Sequence, residues 1–490
     1  MIGQTSSCNN TRTANMNTFR RSTTCFLFFL LFTLPLYPQA PDSAQPNVVK
    51  AKKIITTGLG SGRAYEFLSE LTKIGPRLSG SQQAALAVEW ARRKMEELGF
   101  ENVHLEPVMV PHWVRGPVEE ASVVNSRTSG DIPIEVCALG GSIATPDEGI
   151  TAPVIEVKSF EELRARKGEA IGKIIFFSRP MDRSKISPFE AYGGAVNQRS
   201  EGPIEAAQVG GVAALIRSMT TRMDDVPHTG STHYADSIPK IPAATISTVG
   251  AELLSALIAR ENRVTVRLKL TCRTLPDAES ANVIGELTGS EKPQEVVVVG
   301  AHLDSWDKGQ GAHDDGAGCV QVLEALRLFK DLGLRPKRTV RAVLFMNEEN
   351  GLRGGKAYAE KERRGEKPIL AIESDAGGFS PRGFGVEADS NTFEEIAQWA
   401  DLLKPIDADR IWKGGGGADI SALGKKGVPL AGLSVDPQRY FDYHHSDNDT
   451  IDKVNERELE LGAAAIAVLS YVVAEEGLDV DGLSKHIGTK

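Results

Sequence analysis

Two amphipathic helices are predicted near the start of the chain. Apolar residues recur every three or four positions in residues 62–75 and again in 84–100, and Gly and Pro lie between the two segments. Residues 102–111 then alternate as a strand does. Residues 41–60 show no clear pattern, and we expect them to be unstructured.

The pattern changes in the middle of the chain and again after it. Residues 128–273 contain short β-type runs separated by Gly and Pro, which predicts a β-rich inserted domain. Apolar strands and amphipathic helices alternate after residue 273, and fully apolar strands are typical of a sheet covered on both faces. We therefore predict an α/β fold in which residues 41–127 and 274–490 build one mixed, mostly parallel sheet flanked by helices.

The first 40 residues have the order of a secretory signal peptide. Arg20 and Arg21 precede the apolar run CFLFFLLFTLPL, and the small residues Ala40 and Ala44 follow it. A membrane helix needs about 20 apolar residues, so a retained anchor is the weaker alternative. The interpretation predicts a secreted or periplasmic protein without stable membrane insertion after the signal is removed.

Composition argues against a nucleic-acid partner, a disulfide scaffold and a cysteine-based zinc site. The 490 residues carry a formal net charge of -9 and no long Lys/Arg tract, so we expect no nucleic-acid partner. Five cysteines occur, and Cys8 and Cys25 would leave with the signal peptide. The remaining three are widely spaced, which excludes a disulfide scaffold and a cysteine-based zinc site and allows one bridge at most.

Histidine and carboxylate side chains follow four of the predicted strands. Ligands of open α/β sheets bind beyond the carboxyl ends of the strands, so these side chains should meet at one edge. Adjacent buried acids such as Glu348 and Glu349 need a nearby cation or a shared proton, and mixed imidazole and carboxylate ligands suit zinc. The candidates are His302, Asp304, His313, Asp314, Asp315, Glu348, Glu349, Asp375, His444 and His445. The other histidines, His104, His112, His228, His233 and His486, are interpreted as solvated surface residues.

Five motifs in register carry a resemblance to a known family. They are HLDSWDKGQGAHDDGAG, NEENG, ESDAGG, GGGGADI and HHSDNDT. In this order they resemble the co-catalytic dizinc exopeptidases, whose relevant members carry a protease-associated domain inserted in the peptidase domain. The resemblance implies a hydrolase with two zinc ions per chain that acts on dipeptides or short peptides.

The resemblance also assigns roles to residues. It implies that His302 and Asp375 bind one zinc ion, that Glu349 and His445 bind the other, and that Asp314 bridges them across a cis peptide bond to Asp315. The resemblance also implies that Glu348 is the general base. It makes Asp304 the acid that holds the His302 ring in its ligating orientation.

The substrate-binding residues are less well defined by the resemblance. Relatives often have Tyr before the last ligand His, whereas this chain has His444, so His444 or Tyr443 is the expected oxyanion donor. Gly416 and Asp419 match a glycine-rich loop beside the substrate pocket. The sequence does not decide between amino- and carboxypeptidase action, nor whether the chain forms a homodimer as relatives often do.

Two alternative functions remain at this point. A glutaminyl-cyclase-like acyltransferase shares the fold and uses one zinc ion, but an intact bridging Asp314 argues against it. A non-catalytic, receptor-like member of the fold would have lost ligands, and this chain retains all five.

Overall fold

The computed structural model describes residues 46–126 and 130–479. The predicted signal peptide, Cys8, Cys25 and His486 lie outside these ranges. The strands in chain order are β1 (Glu101–Val114), β2 (Glu119–Ser126), β3 (Gly130–Ile134), β4 (Val136–Ala138), β5 (Ile150–Val157), β6 (Ile174–Phe177), β7 (Ala213–Arg217), β8 (Ala243–Ile246), β9 (Thr265–Leu270), β10 (Arg273–Leu287), β11 (Lys292–His302), β12 (Arg338–Phe345), β13 (Lys367–Glu373), β14 (Pro381–Glu387), β15 (Arg410–Lys413) and β16 (Leu430–Val435).

The helices pack on and between these strands. None of those in the described ranges is long and apolar enough to cross a membrane. In chain order they are α1 (Pro46–Ser61), α2 (Ala64–Thr72), α3 (Gln82–Glu97), α4 (Phe160–Ala165), α5 (Lys167–Ala170), α6 (Pro188–Gly193), α7 (Asn197–Ser200), α8 (Gly202–Gln208), α9 (Thr248–Arg260), α10 (Ala317–Asp331), α11 (Arg353–Glu360), α12 (Ser390–Ala397), α13 (Ser421–Gly424) and α14 (Glu456–Glu476).

The first sheet is mixed, as predicted, and runs in the order β1-β10-β12-β11-β13-β16-β14-β15. The central pairs β12–β11, β11–β13 and β13–β16 are parallel, whereas β1–β10, β10–β12 and β16–β14 are antiparallel. Both faces of β11 are buried. Val297 and Val299 lie in the same core as α10 and α14, while Val296 and Val298 face a second core with Tyr358 of α11. This two-sided burial explains the uninterrupted apolar sequence of the strand.

The second sheet contains β2 to β9 in the order β3-β2-β9-β5-β6-β7-β8-β4. Helices α4 to α9 belong to the same stretch of chain, so this part is more helical than a purely β-rich insertion. Its first strand begins at Glu119, ahead of the predicted boundary at residue 128. The identity of this part as a protease-associated domain stays a prediction.

The N-terminal segment is helical, and the expectation that residues 41–60 are unstructured is wrong for its described part. Helix α1 begins at Pro46 and packs against α14. Its buried positions Ala51, Ile54, Ile55 and Gly58 follow helical spacing, so they form one apolar face. Tertiary packing of this face stabilises a segment whose pattern is weak in isolation.

The three cysteines of the described chain are buried and free. Cys137 and Cys272 belong to the second sheet and its connection to the first, and Cys319 lies in α10.

Candidate metal centre

The chemically important side chains lie at one edge of the first sheet, as predicted. His302 is the last residue of β11, and the neighbouring strands β12, β13 and β16 end before Glu348, Asp375 and His445 respectively. Because β12, β11, β13 and β16 are parallel neighbours, their carboxyl ends deliver these groups to the same place.

His302, Asp314 and Asp375 form the first half of the site. The His302 Nε2 atom lies 3.3 Å from Asp314 Oδ1 and 3.5 Å from Asp375 Oδ1. His302 and Asp314 are buried, whereas the Asp375 side chain is partly exposed at 22%. Each of the three side chains offers one ligand atom, and these atoms all lie within 4.8 Å of one another.

His445, Asp314 and Glu349 form the second half. The His445 Nε2 atom lies 3.3 Å from Asp314 Oδ2 and 3.0 Å from Glu349 Oε2. Asp314 thus turns one carboxylate oxygen to each half, and its Oδ2 accepts no hydrogen bond from the protein. Atoms bound tetrahedrally at about 2.0–2.1 Å from a zinc ion lie about 3.3 Å from one another, so the spacing of these donors fits two zinc ions that share Asp314.

His444 also lies close to this cluster but is less well placed than His445. Its Nε2 atom is 3.9 Å from Asp314 Oδ2, and its ring stacks on that of His445 at 3.5 Å between centroids. Burial and the neighbouring His445 hold the pKa of His444 well below its usual range, so the ring is neutral. Asp314, His444 and His445 all have ligand atoms within 4.8 Å of one another, but His445 lies closer to Asp314, at 3.3 Å, and this favours His445 as the ligand.

The bridging residue sits in an unusual turn. The peptide bond between Asp314 and Asp315 is cis, as the resemblance implied. The Asp449 carboxylate accepts the backbone N–H groups of His313 at 2.7 Å and Asp314 at 3.1 Å. Asp449 lies with His445 in the motif HHSDNDT. This motif therefore fixes the backbone of the motif that contains Asp314.

The ionisation of the metal-free cluster reflects the closeness of its groups. Burial alone would lower the pKa of His302 and His445, but the carboxylates around them raise the first well above its usual range and the second to about 9. Burial raises the pKa of Glu349 to about 7. Burial would raise the pKa of Asp314, but the imidazoles of His302 and His445, each 3.3 Å from one of its carboxylate oxygens, hold that pKa well below its usual range. Protonated imidazoles therefore supply the positive charge that cations would supply.

The backbone carbonyl of Asp304, rather than its carboxylate, makes the expected contact with the His302 ring. His302 Nδ1 lies 3.0 Å from the Asp304 backbone carbonyl and 3.8 Å from the carboxylate. The carboxylate instead accepts the backbone N–H groups of Asn347 at 2.7 Å and Glu348 at 3.1 Å. Asp304 therefore fixes both the ring of His302 and the backbone of the paired glutamates.

The paired glutamates have different surroundings. Glu349 accepts the Trp306 backbone N–H at 3.1 Å with one oxygen and faces His445 with the other. Glu348 is not part of either ligand cluster, and it lines a cavity of about 630 Å³ together with Asp314, Asp375 and His445. Burial raises the pKa of Glu348 well above its usual range, which is the environment of a group that takes up protons.

The two predicted oxyanion donors differ in position. His444 lines the cavity, whereas Tyr443 stacks on His313 at 5.2 Å between ring centroids and is not among the lining residues. Tyr440, which the sequence analysis missed, does line the cavity. It precedes His444 by one helical turn, with the His444 N–H bonded to the Tyr440 carbonyl at 3.0 Å, and this spacing was the available signal.

The glycine-rich loop borders a second cavity of about 430 Å³ that also contains Asp375. Gly416 lines this cavity and donates its N–H to Glu387 Oε1 at 3.0 Å. Asp419 lies behind the loop, fully buried, and neither of its carboxylate oxygens has a hydrogen-bond partner. Burial and the nearby Glu373 raise the pKa of Asp419 well above its usual range, so this group is held as a neutral acid.

One histidine interpreted as a solvated surface residue is not one. His228 is only 1% exposed, and its Nδ1 atom lies 2.7 Å from the backbone carbonyl of His444. The next residue, Thr229, donates its backbone N–H to the His445 carbonyl at 2.8 Å. Both belong to the part of the chain that contains the second sheet. His233 lines the larger cavity.

Comparison with known proteins places these features in a family. Residues 282–470 match the model of peptidase family M28. Carboxypeptidase Q of Bos taurus is 43% identical over 430 residues, which cover 87% of this chain and 89% of the bovine protein. Carboxypeptidase Q of Homo sapiens is 42% identical over 433 residues, with the same coverage. These matches confirm the resemblance to the dizinc exopeptidase family.

Solved structures give the same result. The crystal structure of a peptidase M28 precursor from Shewanella amazonensis superimposes with a TM-score of 0.84 at 38% identity, over 88% of this chain and 97% of that one. A zinc aminopeptidase from Bacillus subtilis is similar in fold, with a TM-score of 0.61 at 21% identity over 85% of this chain and 96% of that one. The α/β architecture is therefore confirmed.

Proposed function

Because the chain belongs to peptidase family M28 and is a zinc metallopeptidase, we propose that it removes residues from the ends of dipeptides or short peptides, with two zinc ions and Glu348 as general base. One observation carries this proposal. The Asp314 carboxylate lies between two pairs of His and carboxylate groups, with donor separations of 3.0 to 3.5 Å, and Glu348 stands free in the adjoining cavity.

The five donors would divide between the two ions. His302 and Asp375 would hold one and His445 and Glu349 the other, while Asp314 would reach both through its two oxygens. When bound by these residues, two zinc ions would supply polarisation of the scissile carbonyl and a lower pKa of water.

The side chains of the cavity would handle the proton and the developing charge. Glu348 accepts a proton from water and returns it to the departing amine, because its carboxylate reaches the cavity and makes no ligand contact. His444 is a neutral imidazole and Tyr440 a protonated phenol, and both line the same cavity. Either can donate a hydrogen bond to the tetrahedral oxyanion, whereas Tyr443 does not line this cavity.

The alternatives have less support. A glutaminyl-cyclase-like acyltransferase with one zinc ion would not need both pairs of ligands around Asp314. A receptor-like protein would not need Glu348 in a cavity with the intact ligand set. The Carboxypeptidase Q relatives also favour peptide hydrolysis.

We also infer that the protein works outside the cytoplasm. The inference rests on the signal-like order of Arg20, Arg21 and the apolar run over residues 25–36. N-terminal sequencing of the mature protein, purified from the extracytoplasmic fraction of an expressing cell, tests it. A mature N-terminus at residue 1 would contradict it.

Glu348→Gln tests the proposed mechanism. The substitution keeps the size of the side chain and removes the base, so we expect kcat on a dipeptide to fall by about 10²–10⁴-fold while the zinc content is unchanged. Zinc is measured by elemental analysis of the purified protein.

A matched control is Glu362→Gln, since Glu362 is an exposed glutamate whose side chain is 80% accessible. This variant should retain both activity and zinc. Unchanged turnover in the Glu348→Gln enzyme, or peptide hydrolysis by wild-type protein free of divalent metal, would contradict the proposal.

A further inference from the structure

Arg115 is a buried cation in the connection between the two sheets. It stands between the end of β1 and the start of β2, and its side chain is 9% exposed. A buried guanidinium is costly unless its charge is paired and its donors find acceptors. Arg115 meets this requirement with acceptors on four separate segments of the chain, and two of these segments lead to the metal site.

The first of these contacts leads to the ligand Glu349. The Arg115 guanidinium faces the Asp307 carboxylate with two nitrogens, Nε at 2.8 Å from Oδ2 and Nη2 against Oδ1. The residue before Asp307 is Trp306, whose backbone N–H donates to Glu349 Oε1 at 3.1 Å. A paired fork of this kind fixes the orientation of both groups. Arg115 therefore holds the loop that in turn holds Glu349.

The second contact leads to the ligand His445. Arg115 Nη2 donates to Thr229 Oγ1 at 3.3 Å, and the Thr229 backbone N–H donates to the His445 carbonyl at 2.8 Å. Thr229 Oγ1 and Arg115 Nη1 both donate to the Ala138 carbonyl, at 2.9 Å and 2.6 Å, which fixes the two side chains relative to each other. The φ angle of His445 is 60°, a conformation that a residue other than glycine keeps only when its surroundings hold it.

The two ligands reached in this way belong to the same half of the metal site. Glu349 Oε2 and His445 Nε2 lie 3.0 Å apart, and in the proposed function they hold the same ion. In the other half, the His302 ring is held by the Asp304 backbone carbonyl at 3.0 Å. Among the residues that the structure describes, none of the acceptors of Arg115 is hydrogen-bonded to His302. The support that Arg115 gives is therefore directed to one half.

We propose that Arg115 is a positioning residue for one of the two zinc ions, the ion bound by His445 and Glu349. The inference rests on the proposed function for the presence of two ions. Arg115 acts through Asp307 and Thr229 rather than by touching the metal. The connection between the sheets thus ties the second-sheet part of the chain to one half of the metal centre.

Arg115→Met tests this proposal, because Met keeps the apolar stem and removes the charge and the donors. In a competition with a chromogenic chelator, the affinity for one zinc ion should fall by about 10- to 100-fold and that for the other by less than about 3-fold. Arg115→Lys keeps the charge without the planar fork and should recover part of the loss. Asp307→Asn breaks the same pair from its partly exposed side and should give the same selective loss, even if Arg115→Met does not fold.

Two ligand variants identify the ion that is affected. In an Asp375→Asn background the remaining zinc is held by the half that contains His445, and adding Arg115→Met should weaken it by the same factor. In a Glu349→Gln background the remaining zinc is held with His302, and adding Arg115→Met should leave its affinity unchanged. The reverse pattern would overturn the proposal.

Arg341→Met is the matched control for a loss of stability alone. Arg341 lies within β12, its side chain is also 9% exposed, and it pairs with Glu286 and Glu366. This variant should lower the Tm as Arg115→Met does and leave both zinc affinities unchanged. Equal weakening of both ions in Arg115→Met, or the same zinc loss in Arg341→Met at a similar Tm, would overturn the role of Arg115. A wild-type protein that binds two ions with the expected pattern but hydrolyses no peptide would overturn only the reaction.

Discussion

Glu348 and Glu349 are adjacent and chemically identical, but hydrogen bonds around them turn the two side chains toward different surroundings. The Asp304 carboxylate holds the backbone N–H groups of Asn347 and Glu348, and Trp306 holds one oxygen of Glu349. Glu349 therefore faces His445, while Glu348 faces the cavity. Glu349 is therefore placed to bind metal, and its neighbour Glu348 is placed to transfer protons.

Glu349→Gln should separate these two roles. Gln removes the charge that faces His445 and is a poor zinc ligand, so we expect zinc affinity to fall by about 10-fold or more and stoichiometry to drop below two per chain. Zinc content after gel filtration in a weak chelator provides the measurement, with Glu348→Gln as the control that keeps its zinc. If both variants retained two ions, Glu349 would not be a ligand.

At the scale of elements, the loop with His228 and Thr229 supports the loop that carries the last ligand. His228 Nδ1 lies 2.7 Å from the His444 carbonyl, and the Thr229 N–H donates to the His445 carbonyl. His445 itself has a positive φ of 60°, which is unfavourable for a residue other than glycine. Contacts from outside the first sheet thus hold a strained ligand in place.

His228→Ala should weaken this support without removing any ligand. We expect zinc to bind about 10-fold more weakly in a competition with a chromogenic chelator, because the ligand loop loses a buried hydrogen bond. His228→Asn restores a donor near the position of Nδ1 and should recover much of the affinity. His104→Ala changes an exposed histidine and should have no effect. Unaltered affinity in His228→Ala would show that the His445 loop holds its shape unaided.

What the sequence predicts at this scale depends on the range of the interaction. The groups after β11, β12, β13 and β16 were predictable because each follows an apolar strand and parallel strands end together. The role of His228 was not predictable, because it depends on how the second-sheet part packs against residues more than two hundred positions away. Helix α1 was missed for the same reason, since α14 supplies its apolar partner.

At the scale of the whole molecule, the metal-free protein buries acids and imidazoles close together, and this changes their pKa values. Burial raises the pKa of Glu373 and Asp449 to about 7 and that of Asp315 well above its usual range. The pKa of His445 is raised to about 9. In all four groups the folded protein binds its proton more tightly than the unfolded chain does.

Above pH 6.5 all four groups lower the free energy of unfolding as the pH rises. The free energy of unfolding falls as pH rises wherever the folded state binds more protons, so each of these groups loses its contribution between its unfolded pKa and its raised folded pKa. The buried histidines with lowered pKa, His228 at about 4, His313 at about 3 and His444 well below its usual range, act in the opposite sense, and their effect fades just above pH 6.5, where the unfolded imidazole loses its proton. The metal-free protein should therefore be less stable at pH 8.5 than at pH 6.5.

Removal of zinc should make this dependence visible. We expect the Tm of the chelated protein to fall by about 5 °C between pH 6.5 and 8.5, since 1 kcal/mol corresponds to a few degrees in a large domain. With saturating Zn²⁺ the Tm should be higher and change less with pH, because the ions replace the protons and bind only the folded state. Differential scanning fluorimetry with and without chelator, on wild type and on Glu349→Gln, measures both. A chelated Tm that rose over this range would mean that the clustered acids and imidazoles do not share protons in the way their separations indicate.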